Sequence, residues 1–202
     1  MILRGLIIFF FINCWQSVFG QSSTPGGSVR LAVFGGGSVD FIFNSITDYS
    51  SGITLTNWSL VGISVRDEAG DNNLPVGDDY TTWTFSISAD DPGADGLDGS
   101  IPANKLPLTA IQVRTTLSAG CGTCNFFGSP WVDLPVAPTV FVDGSTGGAD
   151  QIEDVPSAEN LTYGADQLNI SYRCGVSTSL LSLSLPSDYY SDDIYLDLLM
   201  SP

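Results

Sequence analysis

Leu168-Asn169-Ile170-Ser171-Tyr172-Arg173 changes from apolar to polar at every step, the period of a strand with one buried and one wet face. The same period recurs on both sides of it. Upstream, Val29, Leu31 and Val33 alternate with Ser28, Arg30 and Ala32, and Val39, Phe41 and Phe43 with Asp40 and Ile42. Ile53-Thr54-Leu55 is a short run; Val61, Ile63 and Val65 share a face, as do Trp83, Phe85 and Ile87, and then Ile111, Val113 and Thr115. Thr139-Val140-Phe141-Val142 is another short run. Downstream, Ile194, Leu196 and Leu198 alternate with Tyr195 and Asp197. The 22 glycines and 11 prolines fall between these runs, and no long run of helical period interrupts them. About eight to ten short strands joined by turns predict an all-β sandwich or barrel. Residues 144–159 are the one candidate linker. They read better as a long loop, leaving a single domain over 21–202.

The first twenty residues read differently. Met1-Ile2-Leu3-Arg4 is a short positive stretch, Leu6 to Ile12 is continuously apolar, and Val18 and Gly20 are small residues before Gln21. That is the pattern of a signal peptide over 1–20, with an apolar run too short to span a bilayer. It predicts a secreted, extracellular or cell-surface protein with no transmembrane segment in the mature chain.

The charge balance narrows the partners. Arg4 lies in the leader, so the mature chain sets 5 basic residues against 22 acidic ones, a net charge of −17. Such a surface repels phosphate backbones and excludes nucleic acid. There is no histidine, which removes the commonest general base near neutral pH and the usual Ser/His and Cys/His nucleophile systems. A glycosidase needs two carboxylates held about 5–10 Å apart on a rigid scaffold, and most acids here sit in loops. The expectation is a protein that is not an enzyme.

Three cysteines follow the leader: Cys121, Cys124 and Cys174. In an oxidising compartment they allow one disulfide and one free thiol. Cys121-Gly122-Thr123-Cys124 has redox or zinc spacing, yet its surroundings look like loop rather than a strand-to-helix junction. A structural disulfide, within the loop or from it to Cys174, is the better reading; the pairing stays open.

Two ligand ideas survive. Asp90, Asp91, Asp95 and Asp98 lie in one glycine-rich loop that could wrap Ca²⁺ through oxygen ligands, although acidic turns are also ordinary on an anionic surface. It is not an EF-hand, since Gly93 and Pro102 stand where ligands would be needed. Asp67-Glu68-Ala69-Gly70-Asp71 and Asp78-Asp79 are weaker versions. Trp58, Trp83 and Trp131, with Tyr49, Tyr80, Tyr189 and Tyr190, could stack sugars. Trp83 shares its face with Phe85 and Ile87 and belongs in the core, whereas Trp131, among prolines, is the better exposed candidate. Asn57, Asn160 and Asn169 open N-glycosylation triplets that are common by chance.

The closing block, Leu168 to Cys174 followed by Pro186-Ser187-Asp188-Tyr189-Tyr190-Ser191-Asp192-Asp193-Ile194-Tyr195-Leu196-Asp197-Leu198, resembles the last strands of bacterial secreted pilin-like β-sandwich proteins, the spore-coat-U-type and chaperone–usher surface subunits. Phe41 to Leu55 and Trp83 to Ile87 fit more loosely, and Ser187 stands where that family usually has Gly. The resemblance implies an Ig-like, pilin-like antiparallel sandwich and a structural or adhesive subunit, a fimbrium component, assembled with itself or other surface subunits by β-strand addition. On that view Gln21–Gly27 and the alternation after it have the form of a donor strand, unless they complete their own sheet. The alternative is a secreted carbohydrate-binding module without catalysis, with or without calcium, recognising glycans.

Overall fold

A computed structural model describes residues 8–13, 27–67, 82–91, 93, 95–119, 125–126, 130–143, 153–154, 166–183 and 188–201. They form the two facing sheets that the alternation predicts. Numbered in chain order, the strands of the first sheet are β1 (Ile8–Asn13), β3 (Ser38–Phe43), β5 (Thr82–Ala89), β6 (Leu97–Gly99), β7 (Lys105–Leu106), β9 (Asn125–Phe126), β11 (Thr139–Asp143) and β14 (Tyr190–Ser201). Their order is β3-β1-β14-β5-β11-β9, with β6 on β14 and β7 on β6. The second sheet holds β2 (Gly27–Gly35), β4 (Ile53–Asp67), β8 (Ile111–Ala119), β10 (Val132–Asp133), β12 (Glu153–Asp154) and β13 (Asp166–Cys174). It is ordered β10-β8-β13-β4-β12, with β2 also on β4. Two pairings among the described residues are parallel, β1 with β14 and β12 with β4; the rest are antiparallel.

The core lies between the sheets and is made of the alternating sets. Val39, Phe41, Phe43, Trp83, Phe85, Ile87, Phe141 and Tyr190 come from one sheet, and Val61, Ile63, Ile111, Val113, Leu168, Ile170, Tyr172 and Cys174 from the other. Each large apolar side chain so buried contributes about 1.5–3 kcal/mol. The Ser/Leu segment after β13 closes one end of the core with Leu180.

Two expected runs turn out to be one strand. Ile53–Leu55 and the run from Trp58 join as β4, interrupted at Asn57, whose φ is 50°. The partner register shifts between Ile170 and Tyr172 at the same place, which is what a bulge does to period 2. The Asn57 backbone N–H donates to Ser171 Oγ at 2.9 Å. A short helix, α1 (Ile46–Ser51), stands where only turns were expected. Ser45 caps it: its hydroxyl accepts from the Asp48 N–H at 3.1 Å, and the Asp48 carboxylate accepts from the Ser45 N–H at 3.0 Å, a reciprocal capping box.

The strand that follows the expected leader, β2, completes its own sheet. β2 pairs along β4 from Gly27 opposite Asp67 to Gly35 opposite Leu60, so Val29, Leu31 and Val33 are not a free donor strand. The chain then turns into β3 through Gly36, with φ 66°. A Cβ there would collide with the Trp58 carbonyl. The Ser59 hydroxyl donates to the Gly36 carbonyl at 2.6 Å and lies 3.2 Å from the Tyr172 phenol. That hydrogen-bond chain ties β13, β4 and the turn into β3. No helix of the described residues is long and apolar enough to cross a membrane.

Candidate functional site

β3 carries three of the most deeply buried side chains in the molecule, yet within its sheet it pairs only with β1 among the described residues. The register runs from Ile8 opposite Phe43 to Asn13 opposite Ser38. On its other edge β1 runs parallel to the start of β14, from Phe10 opposite Tyr190 to Asn13 opposite Asp193. The strand between them is thus the apolar run of the expected leader. If residues 1–20 are removed, β3 and β14 stand about 9–10 Å apart, two strand spacings. They face each other across a slot about 20 Å long, six residues of extended chain. The two strands that would border it carry the buried Val39, Phe41 and Phe43 on β3 and Tyr190 on β14. Beyond Asp193, β14 pairs with β5 on one edge and with no described strand on the other. Outside the strand pairing, the Trp58 indole N–H donates to the Ser38 carbonyl at 2.7 Å and holds the start of β3.

Two carboxylates flank the slot. Asp192 stands opposite Ile12 and lies on the inward-facing series of β14, between Tyr190 and Ile194, both buried. Burial lifts its pKa to about 7; the Asp193 N–H, donating at 2.8 Å, opposes the rise, and the charges of Asp91, Asp90 and Asp193 add to it. On β3, Asp40 stands opposite Phe11. Its pKa is also raised by burial, partly offset by a hydrogen bond from Ser38, and its Oδ1 has no hydrogen-bond partner among the described residues. Sequence reading passed over Asp192, although stepping back by twos from Leu196 and Ile194 reaches it on the apolar face.

The loop expected to hold calcium distributes its carboxylates otherwise. Asp91 is buried and turns back on its own loop, accepting from the Gly96 N–H at 2.8 Å and the Asp95 N–H at 3.3 Å. Asp95 and Asp98 both pair with Lys105, the former at 3.2 Å, and raise its pKa. Asp90 bonds the Tyr195 phenol. Among the described residues no three acidic or cysteine side chains gather around one point as metal ligands would. The weaker candidates at 68–71 and 78–79 lie outside the described residues.

Asp188 is the organising carboxylate that motif reading missed. It accepts from the Ser100 hydroxyl, the Ile101 N–H at 3.1 Å, the Asn104 amide at 2.8 Å and the Tyr189 N–H at 2.8 Å. These donors hold its carboxyl far below the usual carboxylate range. It pins the 100–104 turn to the start of β14, beside the slot.

Cys174 is a free, fully buried thiol whose pKa burial drives far up. The alternative that joined it to the cysteine loop is therefore not the pairing present. Cys121 and Cys124 lie outside the described residues. Of the aromatic candidates, Trp83 and Tyr190 are core residues, Trp58 is 42 % exposed but staples β3, and Trp131 is half-buried.

Compared with known proteins, the chain matches no family model and no curated sequence.

Proposed function

We propose that this protein is an extracellular structural or adhesive surface subunit, without catalysis, whose mature form joins its neighbours by β-strand addition. The observation that carries the reading is the seat of residues 8–13. A segment with the pattern of a cleaved leader is, among the described residues, the only strand partner of β3 within its sheet, and the strands on either side of it carry the fully buried Phe41, Phe43 and Tyr190. Once it leaves, two sheet edges with unpaired N–H and C=O groups face one another, and an incoming extended segment restores both ladders at once. The leader pattern and the resemblance of the closing block to pilin-like subunits point the same way.

The test follows the N-terminus and the mass together. Mass spectrometry of the exported protein should give a chain starting at Gln21. Sedimentation of that chain should show concentration-dependent association, which an added peptide of sequence 8–13, flanked by lysines for solubility, should cap to a monomer. A retained leader, or a processed chain that stays monomeric at all concentrations with β3 amides protected, would overturn the reading.

A further inference from the structure

The outer face of the second sheet gathers two arginines that form no ion pair among the described residues. Arg114 on β8 and Arg173 on β13 occupy neighbouring rungs, Arg114 opposite Ser171 and Arg173 opposite Gln112. Both alternate with buried residues, Val113 and Thr115 on one strand and Tyr172 and Cys174 on the other, so both point away from the core. Trp131 immediately precedes β10, whose Val132 pairs with Val113. Its ring therefore lies alongside Arg114. The guanidinium carbons sit 4.7 Å (Arg114) and 4.5 Å (Arg173) from its centroid, within cation–π range.

The heads are held in place without a direct ion pair among the described residues. Arg173 Nε donates to Gln112 Oε1 at 2.6 Å, and Gln112 Nε2 donates to Asp133 Oδ1 at 2.6 Å. Arg114 Nε is buried with no hydrogen-bond partner among the described residues. With 22 carboxylates in the chain, neither arginine has an ion pair among the described residues; those present belong to Lys105. Burial and the charge of Arg114 depress the pKa of Arg173, and Asp133 offsets them in part. Two neighbouring guanidiniums with no ion pair among the described residues are an arrangement that can receive a carboxylate through paired N–H···O bonds.

The surroundings narrow the carrier of that carboxylate. The next rung places Thr116 opposite Asn169, both half-buried on the same face, a hydroxyl and an amide suited to sugar hydroxyls. The guanidiniums lie on the indole, so a neutral sugar stacking on that ring would compete with them. A net charge of −17 on the mature chain repels long polyanions and leaves a small, singly charged ligand.

We propose that Arg114, Trp131 and Arg173, with Thr116 and Asn169, form a binding site for the carboxylate of a terminal uronic acid. The site gives the adhesive role a ligand chemistry and does not rest on strand addition, since a monomer and a polymer present the same face. Titration of ¹⁵N-labelled protein with D-glucuronate should shift the Trp131 indole N–H resonance saturably in the millimolar range, and D-glucose should leave it unmoved. R114Q and R173Q should each weaken binding about 10-fold or more, with thermal melts confirming that each variant is folded. R114K, which keeps the charge but not the fork, should bind between the two. A response that does not saturate, or binding by R114Q or R173Q as tight as that of the unaltered protein, overturns the site. Acetate binding as tightly as glucuronate overturns its assignment to a sugar.

Discussion

Asp192 is an acid on an apolar face, and its protonation is linked to stability. Its pKa in the folded chain is raised to about 7 from an ordinary carboxylate value of 3.8. The folded state therefore binds the proton more tightly than the unfolded state does. Stability from this group is complete below the unfolded value, declines as pH rises between the two, and is lost above about 7. Thermal melts should accordingly show a lower midpoint at pH 8 than at pH 5. Asp192→Asn should raise the midpoint at pH 8 and flatten the profile; an unchanged profile would show that the side chain reaches water. Gly36 makes a different demand. Its φ of 66° and the adjacent Trp58 carbonyl leave no room for a Cβ, so Gly36→Ala should cost about 2–4 kcal/mol in urea unfolding. Cys174, buried with a strongly raised thiol pKa, should resist thiol reagents at pH 8 until the chain unfolds.

At the scale of the elements, β3 and the turn held by Asp188 decide how firmly the slot is framed. Phe41→Ala removes a fully buried ring of β3 from the core and should destabilise the full chain by about 3–5 kcal/mol, measured by chemical unfolding. Asp188→Ala strips the acceptor from four donors around the 100–104 turn. Hydrogen exchange at the Ile101 and Tyr189 amides should quicken, and exchange in β8 should not. Most strands were legible because their apolar inward residues recur at every second position, as Val39, Phe41 and Phe43 do. β4 was read as two pieces because the bulge at Asn57 breaks the period. α1 escaped notice because a six-residue helix with no buried residue has no apolar stripe to show. The candidate site was legible only in part. Pairing partners follow from register across long sequence separations, and nothing local in Ile8–Asn13 announces a neighbour at Tyr190. Arg114 and Arg173 likewise meet on one indole through pairing across β8 and β13, far apart in sequence.

For the whole molecule, a net charge of −16 opposes any association between copies. Salt screens that repulsion over about 8–10 Å at physiological strength. Self-association of the processed chain should therefore strengthen between 20 mM and 300 mM salt, the reverse of glucuronate binding at Arg114 and Arg173, which salt should weaken. Sedimentation and NMR titration at the two salt levels check both directions. The heading of β1 has its own consequence for shape. It runs the same way as β14, leaving the sheet at the end where Ile194 begins its pairing with β5. A replacement strand that copies this heading places its own body at that end of the molecule, while the acceptor's slot-bearing surface is a different patch. Such a contact joins unlike patches, which favours a polar, open-ended fibre over a closed pair.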